Sequence, residues 1–440
     1  MILVSILDRV FRRDDYSHSS LLSRVKAREQ NTKWSFLKKG YVEEKDTVVV
    51  GNDEILLGAS DRDYMDAVTI PYSRKKRITI VVVGGQGSGK TVLARSLVFD
   101  NFVNRFHHPV WFGDPKLDGH FLTEPNTNPA QIELLIRYGY RPRAYDIYFA
   151  VPEFMDMYGA RGKEDGHEIT LSMENFLNMD KDSAIAAISN VLSVKDDEPA
   201  FMIISQVMLS GNPPRTIEEF WSRVQQIMSE TGIKSSRLEQ KWDNLVKTKK
   251  ISNRYFNYAE KMMAHDAVVL EGTVADEDSS EKMVQGIFIN SAAHEIIAAR
   301  TKAIRDPQHG VLKKIPILYL DEANTYAGKG KISASVISSL SSKYRSINNM
   351  AGISSVVVSQ FLHTLASEIV NQADIILTPK IVDDRDLQIL KDRGSDVYVF
   401  DEMHYDINNR PNEFVAFGMG GYNDYKKFFS LPTCSQMSTA

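Results

Sequence analysis

Cysteine is almost missing from this chain: one in 440 residues, Cys434, in a stretch that reads as a polar tail over residues 422–440. A disulfide framework and a cysteine-ligated metal centre are thereby excluded, and the usage suits a reducing interior. Long apolar runs are missing too. None approaches the roughly 18 residues needed to cross a bilayer, so no intrinsic membrane span is expected. The opening run Met1–Leu7 precedes Arg9, Arg12 and Arg13 instead of following a basic stretch, the wrong order for a signal peptide. It reads either as a short amphipathic interaction helix or, preferably, as a frayed first helix, and a cytoplasmic location is expected. Nor is there excess positive charge. The net charge is −4, so any nucleic-acid contact must be a local patch. His107, His108 and the scattered other histidines do not fall at metal-ligand spacing, and Asp383-Asp384-Arg385-Asp386 reads as a polar helix start.

What is present is ordinary globular material, 43% apolar and 25% charged, with length for two to three domains. The most specific signal is Gly84-Gly85-Gln86-Gly87-Ser88-Gly89-Lys90-Thr91. It follows the apolar run Ile78–Val83 and precedes the helix-forming Val92–Val98. This is the G-x-x-x-x-G-K-[ST] loop between a buried strand and a helix. Glycines let several backbone N–H groups converge on one anion, and the helix N-terminus adds partial positive charge. Lys90 is expected to reach the β- and γ-phosphates of ATP, Thr91 to place its hydroxyl on Mg²⁺, and Val92 to line the same site.

Short apolar strands alternate with helical stretches around this loop. The strand candidates are 109–112, 146–150, 267–271, 315–322, 353–360 and 374–378. Such a pattern predicts an α/β fold with a mainly parallel sheet covered on both faces. The expected divisions are an N-terminal region 1–70 with short β pieces, core 71–164, an all-α insertion 165–263, core 264–421 and the tail 422–440. Within the insertion, Thr216-Ile217-Glu218-Glu219 is a capping box opening a helix with Phe220, Trp221, Val224 and Ile227 on one face. A long helix is expected from about 280 to 304.

Ile317–Leu320 leads into Asp321-Glu322, the Walker B pattern of a strand ending in two carboxylates. Asp321 would hold Mg²⁺ and Glu322 would orient and deprotonate the attacking water. Gln360 ends the next strand, either as a γ-phosphate sensor or as a solvated loop residue. Arg345, between the two, is either a finger reaching a neighbouring subunit's nucleotide or a charge on a solvated helix face.

In their order these features resemble the HerA–FtsK superfamily of hexameric DNA-pumping ATPases, which spans chromosome translocases, conjugative coupling proteins and viral packaging ATPases. The matching elements are the Gly84–Thr91 loop, Asp114-Pro115-Lys116 after the second strand, the strand plus long helix 268–304, Asp321-Glu322-Ala323 and Val356–Gln360. Leu117-Asp118 stands where coupling proteins carry Gly-Glu. The resemblance implies a RecA-like core, ATP with Mg²⁺, a homohexamer, and sequence-independent grip on duplex DNA. The DNA contact is then expected at Lys329-Gly330-Lys331 through Lys343, a segment filled with small residues. Lys247–Arg254 is read as a solvated face, and Ser73-Arg74-Lys75-Lys76-Arg77 as a stretch crossing the ring surface. The implied role is DNA pumping for genome packaging or transfer in a virus or mobile element, placing it also inside an infected cell. The competing reading is a conjugation or secretion docking ATPase that recruits a protein cargo through residues 1–70 or the helical insertion.

Overall fold

The computed structural model describes residues 48, 50–60, 64, 66–74, 76–114, 118–152, 166–179, 181–192, 194–195, 198–233, 235–248, 250–271, 279–323, 352–381, 383–403, 413–418 and 425–437. The strands are β1 Glu54–Ala59, β2 Ala67–Pro71, β3 Thr79–Val83, β4 Val110–Asp114, β5 Ile147–Pro152 and β6 Gly166–Ile169. They continue with β7 Ala267–Glu271, β8 Ile317–Leu320, β9 Ser354–Ser359, β10 Ile375–Thr378, β11 Glu413–Phe417 and β12 Tyr425–Ser430. All join one 12-stranded sheet in the order β2-β1-β12-β11-β10-β3-β9-β8-β4-β7-β5-β6. From β10 to β6 every pairing is parallel; from β2 to β10 every pairing is antiparallel.

The parallel strands are buried along both faces because alternate residues feed two different cores. Val81, Val83, Trp111, Val268, Leu270, Leu318, Leu320 and Val357 face the first. Ile80, Val82, Val110, Phe112, Ala267, Val269, Ile317, Tyr319, Val356 and Val358 face the second. The first face is covered by the helical insertion and the helix Ser279–Arg305. The second is covered by the helix Lys90–Arg95, which continues in wider π-type turns over Ser96–Arg105. Asn101 in those turns accepts from the Leu56 amide and donates to the Leu56 carbonyl, fastening β1 to the helix.

Four sequence expectations meet a different outcome. β1 and β2 extend the core sheet, so the described part of region 1–70 is not separate from it. The insertion opens on β6, which pairs with β5, before its helices begin at Met173. The stretch read as a tail supplies β12, wedged between β1 and β11, and Cys434 is fully buried beyond it. Phe428 and Ser430 are buried while Tyr425, Lys427 and Phe429, on the other face, are half-buried, a two-residue alternation that the exposed Lys426 and the polar flanks conceal. Finally, the capping box is only half made. Thr216 accepts from the Glu219 amide, but the Glu219 carboxylate takes the Arg215 amide. The long helix and the remaining strands fall close to where they were expected. No helix among the described residues is long and apolar enough to cross a membrane.

Candidate nucleotide site

Parallel strands bring their carboxyl ends to one edge, where loops and helix N-termini collect. At the end of β3 the chain enters Gly84 with its amide donating to the Ser359 carbonyl of β9 at 3.3 Å. Gly87 has φ 75° and Gly89 φ 81°, the left-handed region in which glycine is unstrained. A Cβ on Gly84 would lie 2.5 Å from Ser88 Oγ and 2.9 Å from Pro379 Cγ, whereas one on Gly85 or Gly87 would meet nothing within 4 Å. The loop therefore leaves open space against Gly85 and Gly87. Gln86 is exposed, and Ser88, Gly89, Thr91 and Val92 are partly exposed. Lys90 is buried, and its ammonium donates to the Gly85 carbonyl at 3.3 Å. Ser88 Oγ is buried with no hydrogen-bond partner among the described residues. A hydroxyl lacking a partner, open glycine backbone and a buried ammonium fit a phosphate chain.

One strand separates this loop from the carboxylate pair. β8 lies beyond β9, and Asp321 follows it, fully buried. Asp321 Oδ1 accepts from the Glu322 amide at 3.0 Å, and Glu322 adopts φ 47°. The Ala323 amide then returns to the Val358 carbonyl of β9 at 2.7 Å. The end of β9 is thus bonded to the glycine loop on one side and to the Asp321–Ala323 turn on the other. Gln360, half-buried, is the next residue of that strand's chain. Thr91, Asp321 and Glu322 offer only oxygen atoms, a donor set that fits Mg²⁺.

Two further features rest on contacts that the sequence does not show. Register places Asp114 of β4 beside Glu271 of β7, and both are buried. The parity of the strands puts Asp114, Glu271 and Asp321 on the face covered by the helix Lys90–Arg105. Asp114 Oδ2 accepts from the Gly119 amide at 2.5 Å. Burial, with the charge of Asp114 added, pushes the Glu271 carboxyl up to about 8. Its signal in the sequence was a carboxylate closing the apolar run Val268-Val269-Leu270. The second feature is Asp386. Asp383 caps the helix Asp384–Asp392 as the polar start suggested, but Asp386 is buried and accepts from the Leu362 and His363 amides at 3.0 and 2.8 Å. His363 Nδ1 lies 2.8 Å from Asp386 Oδ1. His363, Asp383 and Asp386 converge within 4.8 Å, and these hydrogen bonds account for the convergence. They also fix the turn that follows Gln360.

Arg345, Lys329, Lys331, Lys343, Pro115 and Lys116 lie outside the described residues. The exposed Lys247 and Arg254 sit at the end of the insertion, as a solvated face requires.

Strand order, the glycine loop and the carboxylate turn define the class: an α/β, RecA-like P-loop NTPase core. No family profile and no curated sequence matches the chain. Similar solved structures include a genome packaging NTPase from Sulfolobus turreted icosahedral virus 2, 10% identical, covering 80% of this chain and 97% of that one with a TM-score of 0.34. VirB4 of Thermoanaerobacter pseudethanolicus is 14% identical, covers 88% of this chain and 98% of that one, and has a TM-score of 0.43. The plasmid coupling protein TrwB, in complex with a non-hydrolysable GTP analogue, is 12% identical, covers 92% and 93%, and has a TM-score of 0.47. Scores of this size leave the fold assignment resting on the strand order itself.

Proposed function

We propose that the chain hydrolyses ATP and uses the turnover to drive duplex DNA through a homohexameric ring. The observation that carries this is the end of β9, bonded to Gly84 on one side and to Ala323 on the other, so that Gln360 follows a strand tied to both halves of the site. A change in either half reaches the other through that one strand end.

Within this reading the amides of Gly84–Thr91 cradle the phosphates and Lys90 compensates charge on the β and γ groups. Thr91 and Asp321 hold Mg²⁺, whose charge would neutralise the phosphate oxygens. Glu322 orients the attacking water and accepts its proton. Gln360 senses the γ-phosphate, and Arg345 completes the neighbouring subunit's site. The DNA contact falls to Lys329, Lys331 and Lys343.

A docking ATPase is the second reading. In its favour, Met202 and Leu209 of the insertion helix Pro199–Leu209 are 71% and 50% exposed and lie two turns apart on one face. Steady-state hydrolysis with and without long duplex DNA, at low and physiological salt, separates the two. Several-fold stimulation that fades with salt supports the motor; hydrolysis indifferent to DNA overturns it in favour of docking.

A further inference from the structure

The edge opposite the nucleotide loop carries a second chemistry. Parallel strands are entered from this edge, and their entry segments hold an uneven share of cations. Arg74, Lys76 and Arg77 precede β3, His107 precedes β4, Arg143 precedes β5, and Lys313 and Lys314 precede β8. Arg143 is paired with Asp266 at 2.8 Å and Arg77 lies 3.9 Å from Asp374. Among the described residues no ion pair holds Arg74 or Lys314, and both are exposed. The Arg74 guanidinium instead stacks over the Phe106 ring at 5.3 Å, with Arg105 on the same ring at 5.5 Å.

His107 marks where these charges converge. It is exposed and sits at φ 56°, a conformation adopted by only a few per cent of non-glycine residues. Partial burial, then the charges of Lys314, Arg143 and Arg74, hold its imidazole below its ordinary pKa, with Asp266 opposing. Burial pushes His108 beside it down to about 4.

We propose that this amino-terminal edge, centred on Arg74, His107 and Lys314, is a second nucleic-acid contact that grips the phosphodiester backbone. Spacing favours a polymer. The unpaired cations enter β3 and β8, between which the sheet crosses β9, so those strands lie about 10 Å apart at roughly 4.8 Å per strand. A small anion meets one cation of such a pair, whereas a backbone with a charge at every step meets both at once. Val311, 47% exposed, is the large apolar residue offered by the described entry segments, too little for a membrane surface to hold. Overall charge is negative, so the edge stands out as a local field rather than as part of a general one.

This inference rests on the DNA part of the proposed function, but its test is separable from it. Full-length wild type, Arg74→Glu, Lys314→Glu, the double variant and the control Lys241→Glu are titrated into a fluorescent 30-base-pair duplex over a salt series, and ATP hydrolysis is measured alongside. Lys314→Gln guards against misfolding by charge reversal. We expect the double variant to bind at least tenfold more weakly at low salt. The slope of log affinity on log salt should fall by about two, one for each phosphate no longer neutralised, with basal hydrolysis and the control unchanged. The His107 imidazole followed by NMR should rise in pKa when the duplex binds. Unchanged affinity and slope in the double variant overturn the inference even where DNA stimulates hydrolysis. A reduced slope with hydrolysis indifferent to DNA keeps the inference and removes the motor. Binding of polyglutamate but not of duplex, sensitive to the same variants, overturns the nucleic-acid assignment.

Discussion

Glu322 donates its amide to Asp321 Oδ1 at 3.0 Å while standing at φ 47° itself. The fully buried Asp321 thereby turns the chain sharply at the strand end and sets where the second carboxylate begins. A left-handed conformation costs a side-chain-bearing residue roughly 1–2 kcal/mol, and strain of this kind persists where surrounding contacts over-determine it. Two substitutions separate geometry from chemistry. Glu322→Gln keeps shape and strain, and should lower kcat by about 10²–10⁴-fold with nucleotide binding intact. Glu322→Gly should show the same fall in kcat with a Tm equal to or above wild type. Substantial hydrolysis by Glu322→Gln would remove Glu322 from its assigned role.

Neighbouring glycines of the loop should respond differently to the same added methyl. At Gly84 the methyl collides with Ser88 Oγ and Pro379 Cγ, while at Gly85 it meets open space. Gly84→Ala is therefore expected to destabilise the nucleotide-free protein by about 1–3 kcal/mol, and Gly85→Ala by less than about 0.5 kcal/mol. Chemical denaturation without nucleotide reads both. Equal destabilisation by the two would mean that the loop is held differently from this description.

Runs such as Ile80–Val83, Ile317–Leu320 and Val356–Val358 were legible as strands because burial on both faces demands apolar residues at every position. The glycine loop and Asp321-Glu322 were legible because their chemistry is local in sequence. β12 was not. Tyr425-Lys426-Lys427 belongs to a half-exposed antiparallel strand set between its sequence neighbour β11 and β1 from the far end of the chain, and no local pattern announces the pairing with β1. Glu271 and Asp386 escaped for the same reason: their significance comes from Asp114 across a strand register and from the Leu362–His363 turn across the fold.

Glu271 gives the site a pH dependence of stability with a definite sign. In the folded chain its carboxyl holds a proton up to about pH 8, while the unfolded chain releases it near the ordinary glutamate value. Folding therefore loses free energy as pH rises between those values, because the folded state binds more protons there. Between pH 6 and 8.5 wild type should lose about 2–3 kcal/mol more than Glu271→Gln, which has no proton to release. Denaturant midpoints at the two pH values read the difference. Parallel pH profiles for the two proteins would show that Glu271 is ionised in the fold.

The segment 431–437 should behave as part of the core. The Cys434 carbonyl accepts from the Asn126 and Arg143 amides, both at 2.9 Å, and its own amide reaches the Asp100 carboxylate at 3.3 Å. Burial, then the charge of Asp100, pushes the thiol well above its usual pKa, and only the thiolate attacks alkylating reagents. Iodoacetamide at pH 8 should leave the native protein unmodified and add one label per chain in guanidinium, since there is one cysteine. Deleting residues 431–440 should cost several kcal/mol, because it removes one donor from the buried Asp100 carboxylate, which keeps Tyr145 Oη as a donor, and takes the acceptor from the amides of Asn126 and Arg143. Labelling of native protein within minutes, or a truncated chain as stable as the full one, would return this segment to the status of a tail.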